Sequence, residues 1–356
     1  MSTMERSPQQ RIEVGVLGAT GMVGQQFIRQ LASHPWFKPA WLAASDRSEG
    51  KTYADAASWR LDVPIPDEIR GQRVQACTPG KGPRLVFSAL DASVAKDLEP
   101  AFAAAGHLII SNTKTARMDP AVPLVIPEVN AEHLAIIPRQ RRERGWSGAI
   151  VTNPNCSTIV IALTLAPLRA FGLRSVMLTT LQAVSGAGYP GVPSLDILGN
   201  IVPFISGEEE KIESETQKIL GAFADDAFTA HPVVVSATTT RVPVIDGHTV
   251  SMSVALDAKP SLDEVRAALR AFRGKPQALG LPSAPSAPID VTDAPDRPQP
   301  RLDVNKGNGM TVTVGRVRPC ALFGTKLLAM GHNTIRGAAG AALLNAELML
   351  ADGWVD

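Results

Sequence analysis

The 356-residue sequence is poor in cysteine, holds no long apolar run and carries almost no net charge. Cys77, Cys156 and Cys320 are an odd, widely spaced set without a CxxC pair or nearby histidines, which argues against a disulfide framework and a zinc site. No apolar stretch reaches the roughly 18 residues of a membrane span. Thirty-five basic and 34 acidic residues leave a formal charge of +1, and no basic block is interleaved with aromatics, so neither nucleic acid nor a membrane surface is expected as a partner. Residues 1–11 are polar and lack the apolar centre of a signal peptide; they read as a frayed lead-in, and the expected location is cytoplasmic. Internal repeats are also missing. What remains is an ordinary globular composition, 45% hydrophobic and 19% charged, in a chain long enough for two domains.

Residues 12–17 read as a strand, Gly18-Ala19-Thr20-Gly21-Met22-Val23-Gly24 as a glycine turn, and residues 25–33 as a helix. The spacing is GxxGxxG, not GxGxxG, yet the physics of a phosphate loop is intact. Gly18 and Gly21 let the backbone approach a pyrophosphate, Gly24 permits close helix packing, and the helix N-terminus faces the anion. Without a ligand the same stretch is simply a glycine-rich turn. The next strand, residues 40–44, ends in Ser45-Asp46-Arg47-Ser48, where ribose specificity is set. Ser45, Arg47 and Ser48 suit the 2′-phosphate of NADP, whereas Asp46 suits the 2′-hydroxyl of NAD. Further strands at 85–87, 107–110 and 124–126, with a helix over 94–105, give the alternation of a parallel sheet. Residues 1–153 are therefore expected to form a doubly wound α/β nucleotide-binding domain.

Past residue 153 the pattern changes. Alternating strands at 175–183, 231–244, 248–256, 310–318 and 321–330 suggest a largely antiparallel sheet backed by a helix over 262–272. Residues 276–300 are proline-rich and read as a surface excursion, and residues 333–350 as a small-residue helix able to pack closely on the nucleotide-binding domain.

The segment Thr152-Asn153-Pro154-Asn155-Cys156-Ser157-Thr158 places one cysteine at the mouth of a helix, directly after the strand 149–151. Unpaired N–H groups and the positive end of the helix dipole favour a thiolate there and suit a developing oxyanion, which describes an activated nucleophile. A buried structural cysteine is the alternative. His248 opens an apolar stripe with Val250, Met252, Val254 and Leu256, where partial burial suits a base near neutral pH; it is otherwise a turn histidine. Arg241 lies seven residues earlier, across a short connection, and is suited to gripping a carboxylate bidentately. Glu208 and Lys211, one helical turn apart, can address a zwitterion or an anion, or simply open a solvated helix. Gln182 ends an apolar strand before a glycine loop, where its amide can orient an acyl group or merely cap the strand.

With these motifs, and with Ile126-Pro127-Glu128-Val129-Asn130 and Gly207-Glu208-Glu209-Glu210-Lys211, the sequence resembles the aspartate-semialdehyde dehydrogenase family, in its archaeal and fungal branch, from about residue 13 onward. The resemblance implies NADP-dependent, phosphate-requiring oxidation of L-aspartate 4-semialdehyde to 4-phospho-L-aspartate, run in reverse for lysine, threonine and methionine synthesis. It implies a Rossmann domain, 1–153, completed by a C-terminal helix in 331–356, and an α+β catalytic and dimerisation domain, 154–330. Carried over, Cys156 is the nucleophile, His248 the general acid/base, and Gln182 the group that orients the acyl intermediate. Arg241 binds the substrate carboxylate, Glu208 its amino group and Lys211 the phosphate. Gly18, Thr20, Gly21, Met22, Val23, Ser45, Arg47, Ser48, Asn112, Ser185, Gly186 and Asn333 would contact NADP(H). The family also implies a homodimer or homotetramer; no metal is expected, on the cysteine and histidine spacing above. Thr113-Lys114-Thr115 departs from the family's usual Asn-Ala-Ser opening. Rival readings are a related acyl-thioester reductase, such as malonyl-CoA reductase or N-acetyl-γ-glutamyl-phosphate reductase, and a non-catalytic NADP-binding sensor or scaffold.

Overall fold

The run Ile12–Leu17 forms strand β1 of a six-stranded parallel sheet in the computed structural model, which describes residues 11–355. The expected lead-in lies, except for Arg11, outside the described residues. Strands β2 (Phe37–Ala44), β3 (Gln75–Ala76), β4 (Leu85–Ser88), β5 (Leu108–Ser111) and β6 (Ala149–Thr152) join β1 in the order β3-β2-β1-β4-β5-β6. The order reverses between β1 and β4, which opens a crevice beyond their carboxyl ends. Helix α1 (Met22–Ala32) follows the glycine turn, and α2 (Ala92–Ala104) links β4 to β5. Residues 124–126, expected as a strand, make only an isolated bridge from Leu124 to Thr152. The Asn130 side chain takes the place of a ladder there, accepting from Ile126 N–H (2.8 Å) and donating to Leu124 O (2.8 Å).

A second six-stranded sheet is mixed. Its strands are β7 (Leu173–Gln182), β10 (Val234–Arg241), β11 (His248–Leu256), β12 (Ile289–Val291), β13 (Val312–Cys320) and β14 (Gly324–Gly331), in the order β10-β7-β11-β14-β13-β12. The central pairs are antiparallel, as expected, while β10 and β12 join in parallel at the edges. Strands β8 (Ala222–Ala224) and β9 (Ala227–Thr229) form a separate hairpin. The expected strand 231–244 is shorter because Pro232 and Pro243 flank it, and proline cannot donate to a ladder. The proline-rich 276–300 segment is more than an excursion, since it supplies β12 and buries Leu281 and Ile289.

Helices α3 (Cys156–Leu165), α4 (Glu208–Leu220) and α5 (Leu262–Ala271) contribute to the core of this second sheet. Val250, Met252 and Val254 on β11 are at most 1% exposed, and each gains about 1.5–3 kcal/mol by leaving water. On the acidic α4, Glu209 and Glu213 accept the Thr239 and Ala237 N–H groups of β10, which satisfies polar groups at that sheet edge. The chain finally returns to the first sheet. A π-helical turn, Ile335–Ala339, leads into α6 (Gly340–Ala351), whose apolar residues sit in the first sheet's core with β1, β4 and β5. Arg336 in that turn forms a bidentate pair with Glu128 (2.7 and 2.8 Å), both side chains fully buried. Among the described residues, no helix is long and apolar enough to cross a membrane.

Candidate active site

Cys156 is the first residue of α3, and Asn155 is its N-cap. The Asn155 side chain accepts from Ser157 N–H (2.9 Å) and Thr158 N–H (3.2 Å), so two amides expected to be unpaired are already engaged. The Cys156 Sγ lies 3.2 Å from His248 Nε2. Register brings the other groups to the same place. Arg241 ends β10 opposite Gln182, the last residue of β7, and His248 begins β11 one residue before the partner of Leu181. Ala183 joins them, donating its N–H to His248 Nδ1 (3.0 Å) and accepting Arg241 Nη1 at its carbonyl (2.7 Å). Gly186 closes over both side chains. A Cβ there would stand 3.0 Å from Arg241 Nη1 and 3.0 Å from His248 Cε1.

Glu208 and Lys211, at the start of α4, form an ion pair of 2.7 Å instead of a solvated helix end. Glu208 also accepts the Asn155 amide (2.7 Å) and, at 3.5 Å, that of Gln182. Two turns beyond Glu208, Glu215 accepts the Asn155 main-chain N–H (2.7 Å) and binds Arg117 (2.9 Å). Asn155, Arg117, Glu215 and the Ala183 main chain were not singled out from sequence. The seven-residue step from Glu208 to Glu215, which keeps both on one helix face, was the available signal.

The electrostatics correct two expectations. Burial, and then the charge of Glu208, push the Cys156 thiol up to about 12, against the pull of Arg117, Arg241 and the Ser157 N–H, so the resting sulfur is a thiol and not the expected thiolate. His248 is wholly buried, not partly, and burial together with Arg241 and His332 lowers it to about 3, so its ring is neutral. Burial raises Glu208, but Lys211, Asn155 and Gln182 outweigh it, and the carboxylate is held below its usual range.

A cavity of about 630 Å³ opens at the β1–β4 crevice, lined by Gly18, Thr20, Gly21, Ser45, Asp46 and Cys77 among others. A Cβ at Gly18 would meet Ala89 O at 2.4 Å, and one at Gly24 would meet Gly18 O at 2.2 Å, so the turn closes only with glycine. Helix α1, opening with Met22 and Val23, has no side-chain cap and no acid in its first turn, which leaves its mouth suited to a pyrophosphate. Ser48 and Arg47 do not line the cavity. Ser48 is buried in a turn closed by its N–H on Ser45 O (2.8 Å), and Arg47 is exposed. Ser185, Gly186 and Asn333, among the other expected coenzyme contacts, lie on the His248 side. Asn333 accepts Gly247 N–H (2.8 Å) and donates to Ser185 Oγ (2.7 Å), while Asn112 accepts from Asn153 (3.1 Å). In the departing segment, Thr113 hydrogen-bonds Thr115 and the buried Glu99, and Lys114 is exposed.

The family model described as semialdehyde dehydrogenase, NAD binding domain, matches residues 13–137, and that of semialdehyde dehydrogenase, dimerisation domain, matches residues 165–336. An aspartate-semialdehyde dehydrogenase from Archaeoglobus fulgidus is 51% identical over 343 residues, covering 96% of this chain and 99% of its own length. One from Cryptococcus neoformans is 52% identical over 363 residues, covering 98% and 100%. The crystal structure of the Candida albicans aspartate semialdehyde dehydrogenase with NADP superposes with a TM-score of 0.89 at 43% identity, over 97% of this chain and 100% of that one. The Vibrio cholerae aspartate semialdehyde dehydrogenase II complexed with ASA gives 0.76 at 29% identity, over 96% and 99%.

Proposed function

This chain belongs to the aspartate-semialdehyde dehydrogenase family, and from that premise we propose how its residues divide the work of converting 4-phospho-L-aspartate to L-aspartate 4-semialdehyde. The overall reaction is a reversible, NADP-dependent reductive dephosphorylation in the synthesis of lysine, threonine and methionine. The observation that carries the assignment is the 3.2 Å approach of Cys156 Sγ to His248 Nε2 beside Arg241. Cys156 attacks the acyl carbon; a carbon–sulfur bond forms, the carbon–oxygen bond to phosphate breaks, and the thiol proton leaves in hydrogen phosphate. His248 is the acid–base partner. Arg241, with Nη1 engaged by Ala183, keeps its remaining donors for the substrate α-carboxylate. Glu208 receives the α-amino group, Lys211 offsets phosphate charge, and Gln182 orients the acyl oxygen.

NADPH, when bound, supplies the hydride that turns the thioester into the aldehyde. The α1 mouth with Gly18, Thr20, Gly21, Met22 and Val23 would hold its pyrophosphate and Ser45 its ribose, with Arg47 and Ser48 beside the 2′-phosphate. Asn112, Ser185, Gly186 and Asn333 would flank its reactive end. Residues 1–153 with 331–356 form the coenzyme domain and 154–330 the catalytic domain, a division supported by the return of α6 to the first sheet's core. The chain oligomerises through its dimerisation domain. A homodimer or homotetramer is supported by the open sheet face with exposed Met177, Leu181 and Val234, and by the further exposed apolar residues Leu195, Leu198 and Phe204. Three free cysteines support a cytoplasmic location. Steady-state oxidation of aspartate semialdehyde, with and without phosphate and with NADP and NAD in parallel, tests the proposal. Phosphate-dependent NADPH formation is expected; oxidation that needs coenzyme A instead of phosphate overturns it.

A further inference from the structure

Glu208 and Glu215 stand seven residues apart on one face of α4, and both hold Asn155, the residue before Cys156, by different means. Glu208 Oε2 accepts the Asn155 side-chain amide (2.7 Å), and the same carboxylate also serves Lys211 (2.7 Å) and Gln182 (3.5 Å). Glu215 Oε2 accepts the Asn155 main-chain N–H (2.7 Å), while its Oε1 accepts Arg117 Nη1 (2.9 Å). Arg117 in turn donates Nη2 to the Asn112 carbonyl (2.8 Å). One turn beyond Glu215, Lys218 donates from Nζ to the carbonyls of Arg117, Asp119 and Val122 at 2.7, 2.9 and 2.8 Å. Its three donors meet three acceptors, so the main chain that carries Arg117 is also fixed to α4.

The two carboxylates differ in what can reach them. Glu208 keeps 8% of its surface open at the thiol site, whereas Glu215 keeps 1% and is sealed from any substrate. In the proposed reaction the substrate ammonium arrives at Glu208 and competes there with Lys211, Asn155 and Gln182. That loosens the side-chain hold on Asn155. The main-chain hold stays, because no substrate reaches Glu215. Asn155 caps α3 and its side chain takes the Ser157 and Thr158 N–H groups, so a shift of Asn155 would carry Cys156 Sγ out of its 3.2 Å approach to His248 Nε2. We infer that Glu215 is a positioning residue, which holds Asn155, and through it the Cys156 sulfur, in place while Glu208 exchanges its partners for the substrate. Arg117 is the opposite charge that a sealed carboxylate requires. The inference rests on the proposed reaction and adds to it a residue that touches neither substrate nor sulfur.

Steady-state oxidation of aspartate semialdehyde, at saturating NADP and phosphate, compares the wild type with Glu215→Gln and Glu208→Gln. Glutamine offers one acceptor oxygen and one NH₂ group, so at position 215 it can serve the Asn155 N–H or Arg117 but sets donor against donor at the other. Glu215→Gln should lose about 10- to 100-fold in kcat with the semialdehyde KM within about threefold of wild type, because the sulfur is displaced and Glu208 is not. Glu208→Gln should instead raise that KM about 10- to 100-fold through loss of a charged partner for the ammonium. A folded Glu215→Gln enzyme with wild-type kcat, or one whose loss falls on KM, overturns the inference. The same split in both variants would make the two carboxylates equivalent and overturns it too. If Glu215→Gln does not fold, Glu215→Asp decides in its place: it keeps a charge for Arg117 but draws the oxygens back by one methylene, and should lose about 3- to 10-fold in kcat at unchanged KM. Wild-type kcat in that variant likewise overturns the inference. The two readings fail separately, since a wild type without phosphate-dependent activity defeats the functional reading, whereas an active wild type beside an unimpaired Glu215 variant defeats only this one.

Discussion

The coenzyme cavity and the thiol site sit in one chain but are made by opposite means. The first is made by omission: Gly18 and Gly24 leave out side chains that would strike Ala89 and Gly18 oxygens, and α1 leaves its mouth uncapped. The second is made by saturation, since Cys156, His248, Arg241, Glu208 and Asn155 already have protein partners before any substrate arrives. A site of omissions takes its ligand without breaking protein contacts. A saturated site holds its groups in place and must exchange contacts as the substrate enters, which ties its charge states to occupancy.

Cys156→Ala should separate the two most sharply. We expect turnover to fall by at least about 10⁴-fold while NADPH affinity stays within about twofold, measured by steady-state kinetics beside coenzyme titration. Near-normal turnover would remove the nucleophile from the mechanism. The next largest effect is on stability within the coenzyme half. Arg336→Met leaves Glu128 buried without its partner and should cost about 3–5 kcal/mol in denaturant unfolding. A loss below about 1 kcal/mol would mean that the buried pair contributes little. Arg241→Lys should raise the semialdehyde KM about 10- to 100-fold, with a smaller change in kcat and none in NADPH affinity, because lysine cannot grip a carboxylate with two donors. An unchanged KM would move the carboxylate elsewhere.

The smallest effect concerns acid. Burial, then the charge of Lys218, lowers His133 from 6.5 to about 4, so the unfolded chain binds this proton more readily than the folded one. Its stabilising contribution is complete above pH 6.5 and is lost as pH falls toward 4, at about 1.4 kcal/mol per pH unit. Thermal melts of His133→Gln should therefore fall less steeply over that window than those of the wild type; parallel slopes would contradict the assignment.

The same contrast explains what could be read in the sequence. The cavity of omissions is local, with its glycines and helix mouth inside residues 18–24, and it was legible there. Cys156 at a helix start was legible for the same reason, as was His248 at a strand start, whereas Arg241 was expected inside a strand 231–244 that in fact ends at it. Whether the sulfur is charged was not legible, because it depends on Glu208 and on burial set by chain far from residue 156. Residues 124–126 have strand composition, but the Asn130 side chain takes the Leu124 carbonyl and the Ile126 N–H and leaves only the Val125 N–H to pair with Thr152 of β6. The chemistry of Ser48 and Arg47 was legible, but not how a four-residue turn presents it, with Ser48 buried and Arg47 exposed. The Thr113 and Thr115 hydroxyls belong to the network around buried Glu99 and not to the thiol site.

Gly337 lies against Cys156 so closely that a Cβ there would stand 2.7 Å from the cysteine's own. The reactive residue is thus braced by a segment translated long after it. A ribosome-bound chain can complete most of both sheets and still lack that brace, so competence should arise only once residues 335–351 have cleared the exit tunnel, when the whole catalyst is assembled. Nascent chains stalled before Ile335 that already turned over substrate would show that the brace is dispensable.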